Sequence, residues 1–180
     1  MTSNRRPYIV LVFLVLLFAM PGIAAYFFYH HPHWLSTAST NKGAFVNPPI
    51  LVHSLEDNTK WRLILWHPQA CDNDCMDQLN RLARIRLALG RRLYDVNVCL
   101  LTQNAALLSA SQQAVLKDAD IKIVPLESDD INIDANNPTS LTNTPMLYIA
   151  NPDKYLVLAY TTTAPADDMF HDIKLLLKKE

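Results

Sequence analysis

The hydrophobic pattern of the chain starts with one long apolar run near the amino terminus. Residues 8–29 read YIVLVFLVLLFAMPGIAAYFFY and contain no charged side chain. About 20 apolar residues can cross the roughly 30 Å hydrocarbon core of a bilayer, and aromatic residues at the far end of the run suit the membrane interface. This run predicts a transmembrane helix over residues 8–29, preceded by a short polar segment, residues 1–7.

The flanks of this run predict its orientation. Arg5 and Arg6 precede it, whereas no Lys or Arg follows it until Lys42. The positive-inside rule then predicts a single-pass protein of the bacterial inner membrane with its soluble part in the periplasm, a compartment that permits disulfides. A signal peptide cleaved near Ala24 and Ala25 is the alternative. The apolar sequence continues past those alanines with four aromatic residues, which favours an uncleaved anchor.

The remainder of the chain separates into a polar stretch and a patterned stretch. Residues 30–58 contain Pro, Ser, Thr and Asn with weak periodicity, which predicts a mostly irregular periplasmic tether. Residues 59–180 alternate short apolar runs, typical of buried strands, with segments of helical periodicity. Strands are predicted at 61–66, 96–101 and 121–126, helices from Cys71 to Gly90, at 105–118 and at 165–178, and a hairpin between Met146 and Tyr160.

This order of elements predicts one soluble domain over residues 59–180. Alternating strands and helices imply a parallel sheet segment with right-handed crossovers, and the closing hairpin adds antiparallel strands. The fold class is therefore α/β, with a thioredoxin-like central sheet and flanking helices, preceded by one N-terminal transmembrane helix.

The composition of the chain disfavours several classes of function. The formal net charge is -1, so there is no chain-wide positive field for nucleic acid, and we expect no nucleic-acid partner. Three glycines leave almost nothing from which a Gly-rich phosphate loop could be built, and the sequence contains neither an HExxH nor a GxSxG motif. Common nucleotide-binding and hydrolase classes are disfavoured on these grounds.

Two cysteines, Cys71 and Cys75, lie where the first predicted helix of the domain begins. If the helix includes both, their side chains lie on adjacent turns of one face and can touch. The positive end of the helix dipole favours the thiolate, whereas the neighbouring Asp72 and Asp74 disfavour it. The pair could cycle between dithiol and disulfide or hold a soft ion such as Cu(I). A static structural disulfide is the plain alternative.

Two further residues near this pair have alternative interpretations. His67, four residues before Cys71, is a candidate third metal ligand beside Cys71 and Cys75, although an exposed loop position is the simpler interpretation. Cys99 lies in the apolar run VNVCLL and is predicted to be a buried thiol without chemistry.

Pro145 stands immediately before the strand predicted to begin at Met146. In thioredoxin-like domains a cis-proline at this point packs beside the cysteines, and Pro145 resembles that residue. Cys71, Cys75 and Pro145 are therefore the candidate catalytic residues.

Four segments, in order, carry a resemblance to a known family: TNKGAFVNPP, KWRLILWHPQACDNDC, the helix ending LALG, and YIANPDKYLVLAY. Together they resemble the Sco/SenC group of thioredoxin-fold proteins, especially small anchored Sco-like proteins of bacteria associated with cytochrome c oxidase assembly. The resemblance implies a thiol-disulfide role in oxidase assembly, with the inner membrane and an oxidase subunit or assembly factor as partners. The exposed helix end favours Cys71 as the attacking thiol and Cys75 as the resolving thiol.

The chain departs from this family at one ligand. Copper-binding Sco proteins add a distant histidine before the strand that leads into the Asp-Pro turn, and the corresponding segment here, NNPTSLTNTPMLYIANP, contains no histidine. Its loss weakens a copper site, so we expect no required cofactor and keep copper as a candidate ligand. A thiol-disulfide oxidoreductase is the leading hypothesis; a Cu(I) chaperone and a non-catalytic assembly scaffold are the alternatives.

Overall fold

The computed structural model describes residues 6–30, 40–126, 141 and 144–178. The chain divides into two compact units, Met1–Thr40 and Asn41–Glu180. In the first unit, helix α1 spans Arg6–His30, and its stretch Val10–His30 is long and apolar enough to cross a membrane. The predicted apolar helix is thereby confirmed as a candidate span.

The second unit contains six strands and three helices among the described residues. In chain order these elements are β1 Ala44–Leu51, β2 Trp61–His67, α2 Asn73–Ala88, β3 Val96–Thr102, α3 Ala110–Asp118, β4 Ile121–Pro125, β5 Met146–Ala150, β6 Tyr155–Thr161 and α4 Ala166–Lys178. Two short 3-10 helices, Gly90–Asp95 and Ala105–Leu107, precede β3 and α3.

The six strands form one sheet in the order β1-β6-β5-β2-β3-β4. Strands β2, β3 and β4 run parallel, with Leu63 opposite Val98 and Leu100 opposite Ile123. Strands β5, β6 and β1 add antiparallel neighbours on the other side of β2. The parallel part joined by helices and the closing hairpin confirm the predicted thioredoxin-like α/β fold.

Side chains alternate between the two faces of a strand, and in the central strands both sets of side chains are buried. In β2, Leu63 and Leu65 join a core cluster that contains the apolar faces of α2 and α4, while Ile64 and Trp66 join a second cluster on the opposite face. The continuous apolar run of β2 is therefore the pattern of a central strand covered on two sides.

Two predictions of local structure outside residues 67–75 are wrong. Residues 44–51, expected to be part of an irregular tether, form edge strand β1, in which Ala44 pairs with Ala159 and Ile50 with Leu156. The register shifts between those pairs, where Pro48 and Pro49 interrupt the pattern, and prolines are tolerated in a strand mainly at an edge. Helix α3 begins at Ala110 rather than at 105, because Ser109 caps it. The polar segment 127–143, to which the sequence pattern assigns no element, lies mostly outside the described residues.

Two buried charged side chains hold the ends of this sheet. The guanidinium of Arg62, at the start of β2, donates to the carbonyl oxygens of Asn151 (2.8 Å) and Glu56 (2.6 Å) and to Oδ1 of Asn58 (2.9 Å). On α4, the carboxylate of Asp172 accepts hydrogen bonds from the chain that enters β1. Each ion is buried with several hydrogen-bond partners, as burial of a charge requires.

Candidate functional site

The site lies where β2 leads into α2. Strand β2 ends at His67, residues 68–72 follow, and α2 begins at Asn73. Cys71 and Cys75 are joined by a disulfide, with their Cα atoms 5.2 Å apart. The predicted pair is therefore brought together, in the oxidised form, at the carboxyl edge of the parallel strands.

The cysteines do not both lie on the helix, so the condition under which they would occupy adjacent turns is not met. The helix starts later because Asp72 is its N-cap: Oδ1 of Asp72 accepts a hydrogen bond from the backbone N–H of Cys75 across 2.9 Å. A capping residue has non-helical backbone angles, so Cys71, one residue earlier, lies outside the helix. The disulfide joins the loop before the helix to its first turn.

The two cysteines differ in access to solvent. The residue Cys75 is 2 % exposed and belongs to the core cluster with Leu79 and Leu82, whereas Cys71 is half-buried and packs against that cluster. A partner thiol therefore reaches Cys71 more readily than Cys75. This difference supports Cys71 as the attacking position and Cys75 as the resolving position, roles that stay predictions.

The loop between β2 and α2 is held by side chains from two places. Nδ2 of Asn104, which follows β3, donates to the carbonyl of Pro68 across 3.0 Å. Nε2 of Gln112, in the first turn of α3, donates to the carbonyl of Cys71 across 2.9 Å. These contacts join this loop, residues 68–72, which we call the cysteine loop, to the connection between β3 and α3.

His67 is the last residue of β2 and is buried, so the exposed-loop interpretation is wrong. Its Nδ1 lies 3.1 Å from the carbonyl oxygen of Gln69. Across the ranges that the structure describes, no group of three or more His, Cys, Asp and Glu side chains is placed to hold a metal ion. His67 is thus near the disulfide in sequence but is not assembled with Cys71 and Cys75 into a ligand set.

Pro145 directly precedes β5, whose first residue, Met146, pairs with Trp66 next to the end of β2. It therefore lies at the same edge of the sheet as the cysteine loop. Among the described residues the cis peptide bond is Asn47–Pro48, so the bond before Pro145 is not cis. Pro145 thus lies where the family pattern places a proline, and the isomer, which the sequence leaves open, is not cis.

Cys99 is a free, buried thiol on β3, as predicted. Burial raises the pKa of Cys99 to about 11, although the positive charge of Arg62 partly opposes that increase. Cys99 is therefore a neutral thiol at physiological pH, and thiols react chiefly as thiolates.

Sequence reasoning missed Asn104 and Gln112. The sequence carries one usable signal, the S-x-x-Q spacing of Ser109 and Gln112, which is typical of a capping box at a helix start. That spacing predicts the position of Gln112 on α3, but its contact with Cys71 spans 41 residues and depends on the sheet register.

The soluble part matches a family model described as "Transmembrane-like, thioredoxin-like, C-terminal domain" over residues 61–179. No curated protein shows a significant sequence match. Solved structures with a similar fold do exist, and several of them are Sco proteins.

Three of these structures illustrate the similarity. The apo Sco1 protein of Thermus thermophilus has a TM-score of 0.53 and 15 % identity, covering 76 % of this chain and 97 % of that one. A SCO1/SenC family lipoprotein of Bacillus anthracis has a TM-score of 0.51 and 14 % identity, covering 67 % and 83 %. ScoI of Arabidopsis thaliana, solved with copper bound, has a TM-score of 0.50 and 12 % identity, covering 69 % and 88 %. The predicted Sco/SenC resemblance is confirmed at the level of the fold.

Proposed function

Because this chain belongs to the family of transmembrane-like, thioredoxin-like C-terminal domains, we propose that it is a membrane-anchored thiol-disulfide protein whose redox pair is Cys71 and Cys75. The observation that carries the proposal is the disulfide between the loop after a central strand and the first turn of the next helix. A half-buried sulfur at a helix start is open to attack, and the helix dipole stabilises the thiolate that forms there.

The exchange proceeds through a mixed disulfide. When the protein is reduced, the Cys71 thiolate attacks one sulfur of a client disulfide, and the other client sulfur leaves with the electron pair. The Cys75 thiolate then attacks Sγ of Cys71, which forms the Cys71–Cys75 disulfide and releases the second client sulfur. Two electrons and two protons pass to the client. The reverse sequence oxidises a client dithiol.

We place this activity in the periplasm and assign it to the maturation of cytochrome c oxidase. Three observations support that assignment: the candidate span in α1, the arginines ahead of it, and the Sco-like order of segments. The client is then a cysteine-containing oxidase subunit or assembly factor next to the inner membrane. The transmembrane helix predicted at residues 8–29 and the soluble domain predicted at 59–180 are part of this proposal, with the domain extended to include β1.

Copper does not fit the described residues as a three-ligand site. Cys71 and Cys75 would supply two sulfur ligands after reduction, but the buried His67 does not complete a group with them. Copper therefore has no part in the proposed thiol-disulfide exchange.

A trapping experiment tests the redox role. In cells, Cys75→Ser cannot resolve mixed disulfides and should accumulate one or more adducts through Cys71 that reducing agent removes. Cys71→Ser/Cys75→Ser is the matched control and should accumulate none. The absence of any adduct in the single variant would contradict Cys71 as the attacking thiol.

Complementation of a deletion strain separates catalysis from scaffolding. If the redox pair is required, Cys71→Ser/Cys75→Ser should fail to restore oxidase activity at wild-type protein levels, while Cys99→Ala should restore it. Full restoration by the double variant, with and without added copper, would support an assembly scaffold instead.

A further inference from the structure

Three backbone carbonyl groups of the cysteine loop are held by side chains. The carbonyl oxygens of Pro68, Gln69 and Cys71 each lie within hydrogen-bond distance of a side-chain nitrogen. The nitrogen at Gln69 comes from His67 within the same segment, whereas the other two come from Asn104 and Gln112, which are 36 and 41 residues away from their partners. The loop is therefore fixed from outside at its first residue and at Cys71.

The amide of Gln112 has its orientation fixed by two different partners. Its Oε1 accepts from the backbone N–H of Ser109 across 2.9 Å, and its Nε2 donates to the carbonyl of Cys71. A flipped amide would place oxygen against the Cys71 carbonyl and nitrogen against the Ser109 N–H. One side chain thus caps α3 and holds Cys71 at the same time.

Asn104 holds the other end of the loop. Its backbone N–H donates to Oγ1 of Thr102 at the end of β3, and its Nδ2 donates to the Pro68 carbonyl. Because Thr102 pairs with His67 across the parallel strands, Asn104 follows the strand next to the one from which the loop leaves.

We propose that Asn104 and Gln112 are positioning residues that keep Cys71 within reach of Cys75 when the disulfide is open. The inference rests on the proposed redox function and adds two residues to its site. A thiol already held near its partner loses less conformational freedom on ring closure, which raises its effective concentration. Neither amide carries charge, so their effect operates through position and not through the charge of the thiolate.

Loss of either hydrogen bond should make the disulfide less stable relative to the dithiol, and the reduction potential should become less negative. A hydrogen bond contributes modestly in net terms, so the equilibrium constant for disulfide formation should fall about three- to tenfold, which is roughly 15–30 mV for a two-electron couple. A merely structural role would destabilise the oxidised and reduced forms equally and leave the potential unchanged.

The variants separate this contact from the cap. Gln112→Glu keeps an oxygen that accepts from Ser109 but removes the donor to Cys71. It also adds a negative charge, which Gln113→Glu reproduces on the next residue, whose own side chain donates to Leu108 instead. Asn104→Ala removes the second contact without adding charge, and the wild-type chain is its reference.

The test is a redox titration of the full chain in detergent micelles with reduced and oxidised dithiothreitol. Each disulfide reduced gains two electrons and two protons while one dithiothreitol closes to its cyclic disulfide; the reduced fraction is read from alkylation mass shifts. Asn104→Ala relative to wild type, and Gln112→Glu relative to Gln113→Glu, should shift to less negative potentials. Thermal unfolding of both redox forms confirms that each variant is folded.

The outcomes distinguish this inference from the function on which it rests. A wild-type pair that titrates reversibly, with both variants at the potentials of their references, overturns the inference alone. A wild-type pair that does not exchange with dithiothreitol, together with no trapped adduct in Cys75→Ser, overturns the proposed function as well.

Discussion

The phenolic hydroxyl of Tyr160 donates a hydrogen bond to Oδ2 of Asp172 across 2.7 Å, and both side chains are buried. The same carboxylate accepts from the backbone N–H groups of Lys42 and Gly43, each at 3.0 Å or less. Asp172 therefore joins α4, β6 and the segment that enters β1. Burial by itself would raise the pKa of Asp172, but these hydrogen bonds, with one to His171, outweigh it and lower the pKa.

Replacing this carboxylate should change the response to acid. Since the pKa of Asp172 is lowered in the folded state, its stabilisation is present above the unfolded value of about 4 and is lost as the pH falls through the folded value. Asp172→Asn should lower the free energy of unfolding by about 2 kcal/mol at pH 7, because it removes a charged acceptor. The gap to wild type should narrow between pH 5 and pH 3.

Urea unfolding at pH 7, 5, 4 and 3 measures this effect. Asp95→Asn, at an exposed aspartate, is the control and should follow the wild-type curve. A constant gap between Asp172→Asn and wild type over this range would contradict the assignment.

Gly43 is required by a close approach to Tyr160. A Cβ at this position would lie 2.7 Å from the Tyr160 hydroxyl oxygen and closer still to its ring. Gly43→Ala should therefore destabilise the fold by about 1–3 kcal/mol, the usual range for overpacking. In a Tyr160→Leu background the same change should cost much less, so a double-mutant cycle by urea unfolding should show coupling. Lys42→Ala, one residue earlier and exposed, is the control.

Asp72 combines a stabilising cap with an unfavourable charge beside the pair. Asp72→Ala should lower stability by about 1 kcal/mol through loss of the cap to Cys75. Asp72→Asn retains a capping oxygen but removes the charge, so reduced Cys71 should be alkylated faster at pH 7. Asp74→Asn removes a nearby charge and leaves the cap at Asp72 intact. Equal stability of Asp72→Ala and Asp74→Asn would contradict the capping role.

Cys99 should remain unreactive in the folded protein. After reduction at pH 8, iodoacetamide should modify Cys71 first, and Cys99 only after denaturation, because its pKa is raised to about 11. A raised thiol pKa means that stability is lost as the pH rises from the unfolded value toward the folded one, by about 2 kcal/mol at pH 11. Cys99→Ala should lack this loss in alkaline unfolding curves. Prompt modification of Cys99 in the folded chain would contradict its burial.

The elements that the sequence predicted well are those with local signals. In the run WRLILW every residue except Arg62 is apolar, which predicts a strand buried on both faces. The spacing of Leu79 and Leu82 is helical. Both β2 and α2 could therefore be predicted without information from distant parts of the chain. Strand β1 could not be predicted in this way, because its partner β6 lies more than 100 residues later and two prolines obscure its alternating pattern.

The features of the site also divide into those with local sequence signals and those that depend on distant residues. The positions of Cys71 and Cys75 after a central strand were predictable, and the disulfide is found there. The start of α2 was not, because the choice of Asp72 as N-cap over earlier residues depends on how the loop leaves the sheet. Gln112 reaches Cys71 only once α3 is packed beside β4, which no local spacing encodes.

The buried guanidinium of Arg62 has a practical consequence for engineering. It fixes the turn before β2 and the turn between β5 and β6 at the end of β2 opposite the disulfide. These contacts involve no residue of the cysteine loop. The three residues between Cys71 and Cys75 can therefore be treated as an exchangeable cassette, and spacers of other lengths and charges can be compared in one scaffold with Arg62 retained.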